Sequence, residues 1–215
     1  MSILTRLVPI FAALLGGLAI LAGCGEAPAM PAEGAVEAEK VGDRFSVYAL
    51  DTESWWDQTG EMRALGSLEG RVQVLAMVYT HCAHTCPRIV ADMLQLEAMT
   101  EELGKEVGFV LVSIDPDRDQ PGRLASFAEG IGLDPARWTL LQGTDDGTRA
   151  LAALLGVRYR QEADREIAHT NELTVLSPAG EIVHQRKGLD EPLEHTLDAL
   201  VAAADTPPGS DPARR

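Results

Sequence analysis

Residues 72–80, VQVLAMVYT, form an unbroken apolar, β-branched run, the pattern of a strand covered on both faces. Pro87 then opens a segment in which Ile89, Met93, Leu96 and Leu103 recur near helical spacing. A second buried run, VGFVLVSI at 107–114, follows. Beyond it the pattern predicts a helix over Pro121–Glu129, a short strand over Trp138–Leu141 and a helix over Asp146–Leu155 closed by Gly156. Glu172–Leu176 and Glu181–Gln185, joined by Ser177-Pro178-Ala179-Gly180, predict a hairpin, and Leu193, Leu197 and Leu200 line a last helix. Strands alternating with helices define an α/β layer with a mainly parallel sheet and a C-terminal antiparallel hairpin. Phe45–Leu50 and the region of Trp55 and Trp56 predict an added N-terminal hairpin, with the indoles in its core. In such sheets chemistry gathers at the carboxyl ends of the strands. Here that edge is the loop after Thr80, which carries two of the three cysteines, Cys82 and Cys86.

The two ends of the chain read as appendages. One charge, Arg6, precedes an uncharged stretch from Leu7 to Gly23, rich in Leu, Ala, Ile and Gly, in the manner of a secretory signal. The ending Leu21-Ala22-Gly23-Cys24 resembles the bacterial lipobox, which implies cleavage after residue 23 and lipidation of Cys24; the alternative is a retained anchor helix. Residues 24–41 then form a lipidated, Ala-, Glu- and Pro-rich flexible tether, 42–203 the folded domain, and 204–215 a disordered tail. The expected location is the extracytoplasmic (periplasmic) face of a bacterial membrane, held there by the lipid. Loss of the signal removes Arg6 and takes the net charge from −15 to −16. So acidic a chain is repelled by phosphate backbones, which argues against nucleic acid as a partner.

With Cys24 used for lipid, Cys82 and Cys86 remain as a pair in a disulfide-permissive space. Pro87 places Cys86 at a helix N-terminus, where free backbone N–H groups favour a thiolate. The spacing of four sets both sulfurs on one side of the loop and allows either a disulfide or joint coordination of one metal ion. An inert staple is the weakest reading, because so small a loop gains little from closure and a core of this size does not need one. Two thiolates suit Cu(I), Zn(II) or iron–sulfur centres. Two cysteines cannot complete a four-Cys cluster, and structural zinc would need two histidines to join. Copper accepts three ligands, so Cys₂His is a reasonable set, with His81, His84, His169, His184 and His195 as the candidates.

The runs VYTHCAHTCPRIVADM, VSIDPDRDQPGRLASF and HTNELTVLSPAGEIV, in this order and spacing, resemble the SCO/SenC family of thioredoxin-fold copper proteins over residues 42–202. The resemblance implies a thioredoxin-like fold, copper as Cu(I) or Cu(II), thiolate ligands at Cys82 and Cys86 and an imidazole ligand at His169. It also implies a role in assembling the dinuclear copper site of cytochrome c oxidase, with subunit II or a similar copper recipient as partner. Oxidation of Cys82 and Cys86 to a disulfide would stop metal binding, so a thiol–disulfide reductant is a second implied partner. An alternative function is a thiol–disulfide oxidoreductase that uses Cys82 and Cys86 as a redox pair to keep the recipient's cysteines reduced. Two positions depart from the family: Ala83-His84-Thr85 stands between the cysteines in place of its usual Pro-Asp pair, and Ala168 stands where an Asp usually precedes the histidine. If that Asp tunes the ligand, copper affinity here is weaker.

The remaining histidines have plainer readings. His81 is expected not to ligate, His84 lies between the cysteines and could reach a metal, and His184 and His195 are expected on a solvated surface. Asp115, Asp117 and Asp119 mimic the start of a calcium loop, but Gln120 and Ser126 occupy the positions that need Gly and Glu. The segment is therefore read as a strand-end turn.

Overall fold

The computed structural model describes residues 45–50, 54–82, 85–162 and 166–206. The expected signal, Cys24, the tether, His84 and the last nine residues of the expected tail lie outside these. Among the described residues no helix is long and apolar enough to cross a membrane.

The two apolar runs form the centre of the sheet. Strands β1 (Trp55–Asp57) and β2 (Met62–Arg63) are followed by β3 (Val72–Val78) and β4 (Val107–Ser113), and every residue of β3 and β4 is buried. They pair in parallel from Val72↔Val107 to Val78↔Ser113, and β5 (Trp138–Gly143) continues the parallel core beside β4. After β6 (Tyr159–Gln161) and β7 (Ile167–His169), strands β8 (Glu172–Leu176) and β9 (Ile182–Lys187) complete the strand list. The seven-stranded order is β2-β1-β5-β4-β3-β8-β9; among the described residues β6 and β7 pair only with each other. The helices are α1 (Cys86–Glu102), α2 (Pro121–Ile131), α3 (Asp145–Leu155) and α4 (Leu193–Asp205). Helix α1 follows β3, α2 follows β4 and α3 follows β5, so the α/β alternation read from the sequence is the architecture found.

Three expectations change. Phe45–Leu50 is not a strand: Val47–Leu50 is a 3₁₀ helix, and only Ser46 bridges the hairpin turn at Glu181. The added hairpin is β1–β2 alone, with Trp55 fully buried as expected. Tyr48 explains the difference, since its ring packs so closely on Gly180 that a Cβ there would stand 2.4 Å from Tyr48 Cδ2. Val47 and Tyr48 are buried while Phe45 is exposed, so the segment does not bury its apolar groups by strand alternation. Leu103 is the C-cap of α1 and exposed, whereas Ile89, Val90, Met93 and Leu96 supply the helix's apolar stripe. Finally, the polar stretch before β8 contains the unforeseen β6–β7 ribbon.

The topology decides where a site can form. Because β3 and β4 are parallel, their carboxyl ends share one edge of the sheet. Strand β8 runs antiparallel to β3, with Ala76 opposite Leu173 and Gln73 opposite Leu176, so its N-terminal end meets that same edge. The loop after β3 and the residues just before β8 are thereby neighbours, although some ninety residues of chain separate their ends.

Candidate metal centre

Cys82 lies in the loop after β3, Cys86 is the first residue of α1, and His169 ends β7, with two residues between it and β8. One ligand atom from each, two Sγ and one imidazole nitrogen, lie within 4.8 Å of one another. Both cysteines are free thiols; Cys86 is buried and Cys82 half-buried. His169 Nδ1 is 3.0 Å from the Thr170 carbonyl, which can only accept, so Nδ1 carries the proton and Nε2 keeps its lone pair. That Nε2 stands 3.5 Å from Cys86 Sγ, and the thiol donates to it. Burial lowers the pKa of His169 against the opposing pull of the Thr170 carbonyl, which favours the neutral, ligating form of the ring.

The two sulfurs differ in a way the sequence did not foretell. The helix N-terminus was expected to favour a thiolate at Cys86, yet burial pushes the Cys86 thiol well up, with only partial relief from the Tyr79 backbone. The Cys86 N–H instead donates to Cys82 Sγ at 3.4 Å. Thr85 Oγ1 lies 3.8 Å from the same sulfur, so the helix end solvates Cys82 while Cys86 sits in the core behind it.

Two residues outside the Cys82–Cys86–His169 cluster shape this edge. Asp119, fully buried, accepts from Thr80 N at 3.0 Å, Thr80 Oγ1 at 2.5 Å and Ser113 Oγ at 2.7 Å. It pins the end of β3 to the end of β4, which confirms the strand-end turn and leaves Asp119 facing protein donors. Tyr79 donates to Glu166 Oε2 at 2.7 Å, and its ring meets His169 edge-on with centroids 6.0 Å apart. Asp119 was visible only as part of a rejected calcium pattern, and nothing in the local sequence linked Tyr79 to a carboxylate 87 residues away.

The other described histidines, His81, His184 and His195, are not among the clustered ligand atoms. His81 is exposed, with Nδ1 3.6 Å from Asp119 Oδ1. His195 is exposed as expected, but His184 is half-buried, its Nε2 3.2 Å from Thr196 Oγ1 of α4, because β9 packs under that helix.

A parallel-centred α/β sheet with a reduced cysteine pair at the start of the helix after β3, faced by one imidazole, defines a thioredoxin-like domain with a dithiol–imidazole cluster. Residues 50–204 match the SCO1/SenC family, and the chain belongs to it. A curated relative, the SCO1 protein homolog of Bacillus subtilis, is 24% identical over 162 residues, 74% of this chain and 84% of the relative. The crystal structure of Arabidopsis thaliana ScoI with copper bound superposes with a TM-score of 0.62 at 21% identity, over 70% of this chain and 94% of that one. The structure of BsSco, described as a member of the Sco family of cytochrome c oxidase assembly proteins with a disulfide switch, gives 0.63 at 22% identity, over 71% and 91%. At these identities the two structures establish the fold.

Proposed function

We propose that this chain is an extracytoplasmic, lipid-anchored metallochaperone that binds one copper ion through Cys82, Cys86 and His169. It serves assembly of the dinuclear copper site of cytochrome c oxidase, with subunit II or a similar protein as recipient. The observation that carries the reading is the convergence of two sulfurs and one imidazole nitrogen within 4.8 Å. The donor set fits the cargo: two soft thiolates and a borderline nitrogen suit copper, and the proton on Nδ1 leaves Nε2 free to bind. On loading, each thiol gives up its proton and His169 gives up none. Half-buried Cys82, served by the Cys86 N–H, is the accessible sulfur of the pair. The copper-bound relative and the family membership support the choice of copper, and the lipobox-like Leu21-Ala22-Gly23-Cys24 supports the anchor.

A second reading has its own support, the neighbouring Cys82 and Cys86 themselves and the disulfide switch described for BsSco. In it the protein reduces the recipient. A Cys82–Cys86 disulfide forms while a disulfide in the recipient becomes two thiols, and a thiol–disulfide reductant later restores the pair. Complementation of cells that lack the protein separates the two. Metallochaperone action predicts that Cys82→Ser, Cys86→Ser and His169→Ala each fail to restore copper to the oxidase. Full rescue by His169→Ala, with failure of both cysteine variants, would replace it with the reductant.

A further inference from the structure

The candidate ligands sit on separate elements, His169 at the end of the β6–β7 ribbon, Cys82 in the loop after β3 and Cys86 at the start of α1. Among the described residues β7 pairs only with β6, whereas Cys82 lies in the loop that follows β3 of the seven-stranded sheet. No strand ladder fixes their separation, so it depends on the short link from β7 to β8 and on side chains that cross between the sheets.

Tyr79 makes that crossing. It is the residue after β3, only 3% exposed. Its hydroxyl donates to Glu166 Oε2 at 2.7 Å and accepts from the Ile167 N–H at 3.3 Å, so both hydrogen bonds land at the start of β7. Its ring stands edge-on to His169, the planes at 78°, and the Arg118 guanidinium lies over the ring, 6.0 Å from its centroid. On the cysteine side, its carbonyl accepts the Cys82 N–H at 3.3 Å. One side chain thus touches the strand that presents the imidazole while its own backbone holds the loop that presents the sulfur.

We infer that Tyr79, anchored by Glu166, is a positioning residue that sets His169 against the Cys82–Cys86 pair and so determines how much the imidazole adds to metal binding. This rests on the reading of the cluster as a copper site. Tyr79→Phe keeps the ring and removes both hydrogen bonds to β7 together with the hydroxyl's interaction with the Cys82 sulfur, so only the part of the loss that depends on His169 reports the coupling. A loss through Cys82 is the same with or without His169, whereas the weakened coupling to β7 lowers what His169 itself contributes. A hydrogen bond to a carboxylate commonly contributes enough to change an equilibrium about tenfold, which sets the scale expected here.

The test is a double-mutant cycle on the full chain in detergent, reduced and anaerobic, with Cu(I) affinity read against a competing chelator. His169→Ala should weaken binding in the wild-type background and do so about tenfold less in the Tyr79→Phe background. Glu166→Ala should reproduce the effect of Tyr79→Phe, and Glu166→Gln, which retains an acceptor oxygen, should restore most of it. Urea midpoints of all variants, taken without metal, identify any that fail to fold, and Glu166→Ala then carries the test if Tyr79→Phe is among them. An equal loss from His169→Ala in both backgrounds overturns the role of Tyr79 while leaving the copper site intact. No loss from His169→Ala in the wild-type background overturns the copper site, and the role of Tyr79 with it.

Discussion

Replacing Asp119 with Ala should destabilise the fold far more than the loss of an acidic residue usually does. The carboxylate is fully buried and accepts from the Thr80 amide, the Thr80 hydroxyl and the Ser113 hydroxyl, at 3.0, 2.5 and 2.7 Å. Thr80 is half-buried, so its hydroxyl can turn to water, and it also receives the Arg123 guanidinium at 2.9 Å. The Thr80 amide and the Ser113 hydroxyl have no such escape. Two donors left without an acceptor cost roughly 1–3 kcal/mol each. Removing a buried charge offsets part of that, which leaves a net loss of about 3 kcal/mol. With a urea slope of about 2 kcal/mol per molar, the unfolding midpoint should fall by about 1.5 M. Asp119→Asn keeps one acceptor oxygen and should lose about half as much. Urea titration followed by tryptophan fluorescence reads both. A midpoint for Asp119→Ala within about 0.25 M of wild type would refute the assignment of Asp119 as the pin between β3 and β4.

The unequal burial of the sulfurs predicts unequal reactivity: iodoacetamide at pH 8, followed by peptide mapping of the metal-free reduced protein, should modify Cys82 at least about tenfold faster than Cys86. Equal rates would contradict the raised pKa of the Cys86 thiol. His169 gives a pH signature, because burial lowers its pKa and the stability that the neutral ring supports is present above the unfolded value of about 6.5. That stability is lost as pH falls below the unfolded value towards the lowered folded one. Between pH 7.5 and 5.5 the metal-free wild type should therefore lose up to about 1.4 kcal/mol more than His169→Gln in urea titrations. A parallel decline of the two would show that the ring titrates as it does in the unfolded chain.

The centre of the fold was legible because β3 and β4 are covered on both faces, which writes continuous apolar runs such as VQVLAMV and VGFVLV into the chain. Pro87 marked the start of α1 and Gly156, at φ 74°, the end of α3. Phe45–Leu50 misled because a mostly apolar hexamer, FSVYAL, has no period that separates a strand from a 3₁₀ turn; the packing of Tyr48 on Gly180 decides the matter from 132 residues away. The β6–β7 ribbon was hidden because its strands have three residues each and little burial, too few to set up an alternation. The site divided in the same way. The cysteine pair was visible as a local motif at a strand end, but spacing could not select His169, 83 residues beyond Cys86, and only the resemblance singled it out. The contrast between Cys82 and Cys86 was not legible either, because helix position argues for a thiolate while burial argues against it, and only the structure shows that burial prevails at Cys86.

The most direct measurement is an anaerobic copper titration of the reduced protein, wild type beside His169→Ala, with stoichiometry and affinity read against a competing chelator. Tight binding of one copper per chain, sharply weakened in the variant, is the result that a Cys82–Cys86–His169 site predicts. Weak binding that is indifferent to His169 would contradict it and leave the two cysteines as a redox pair.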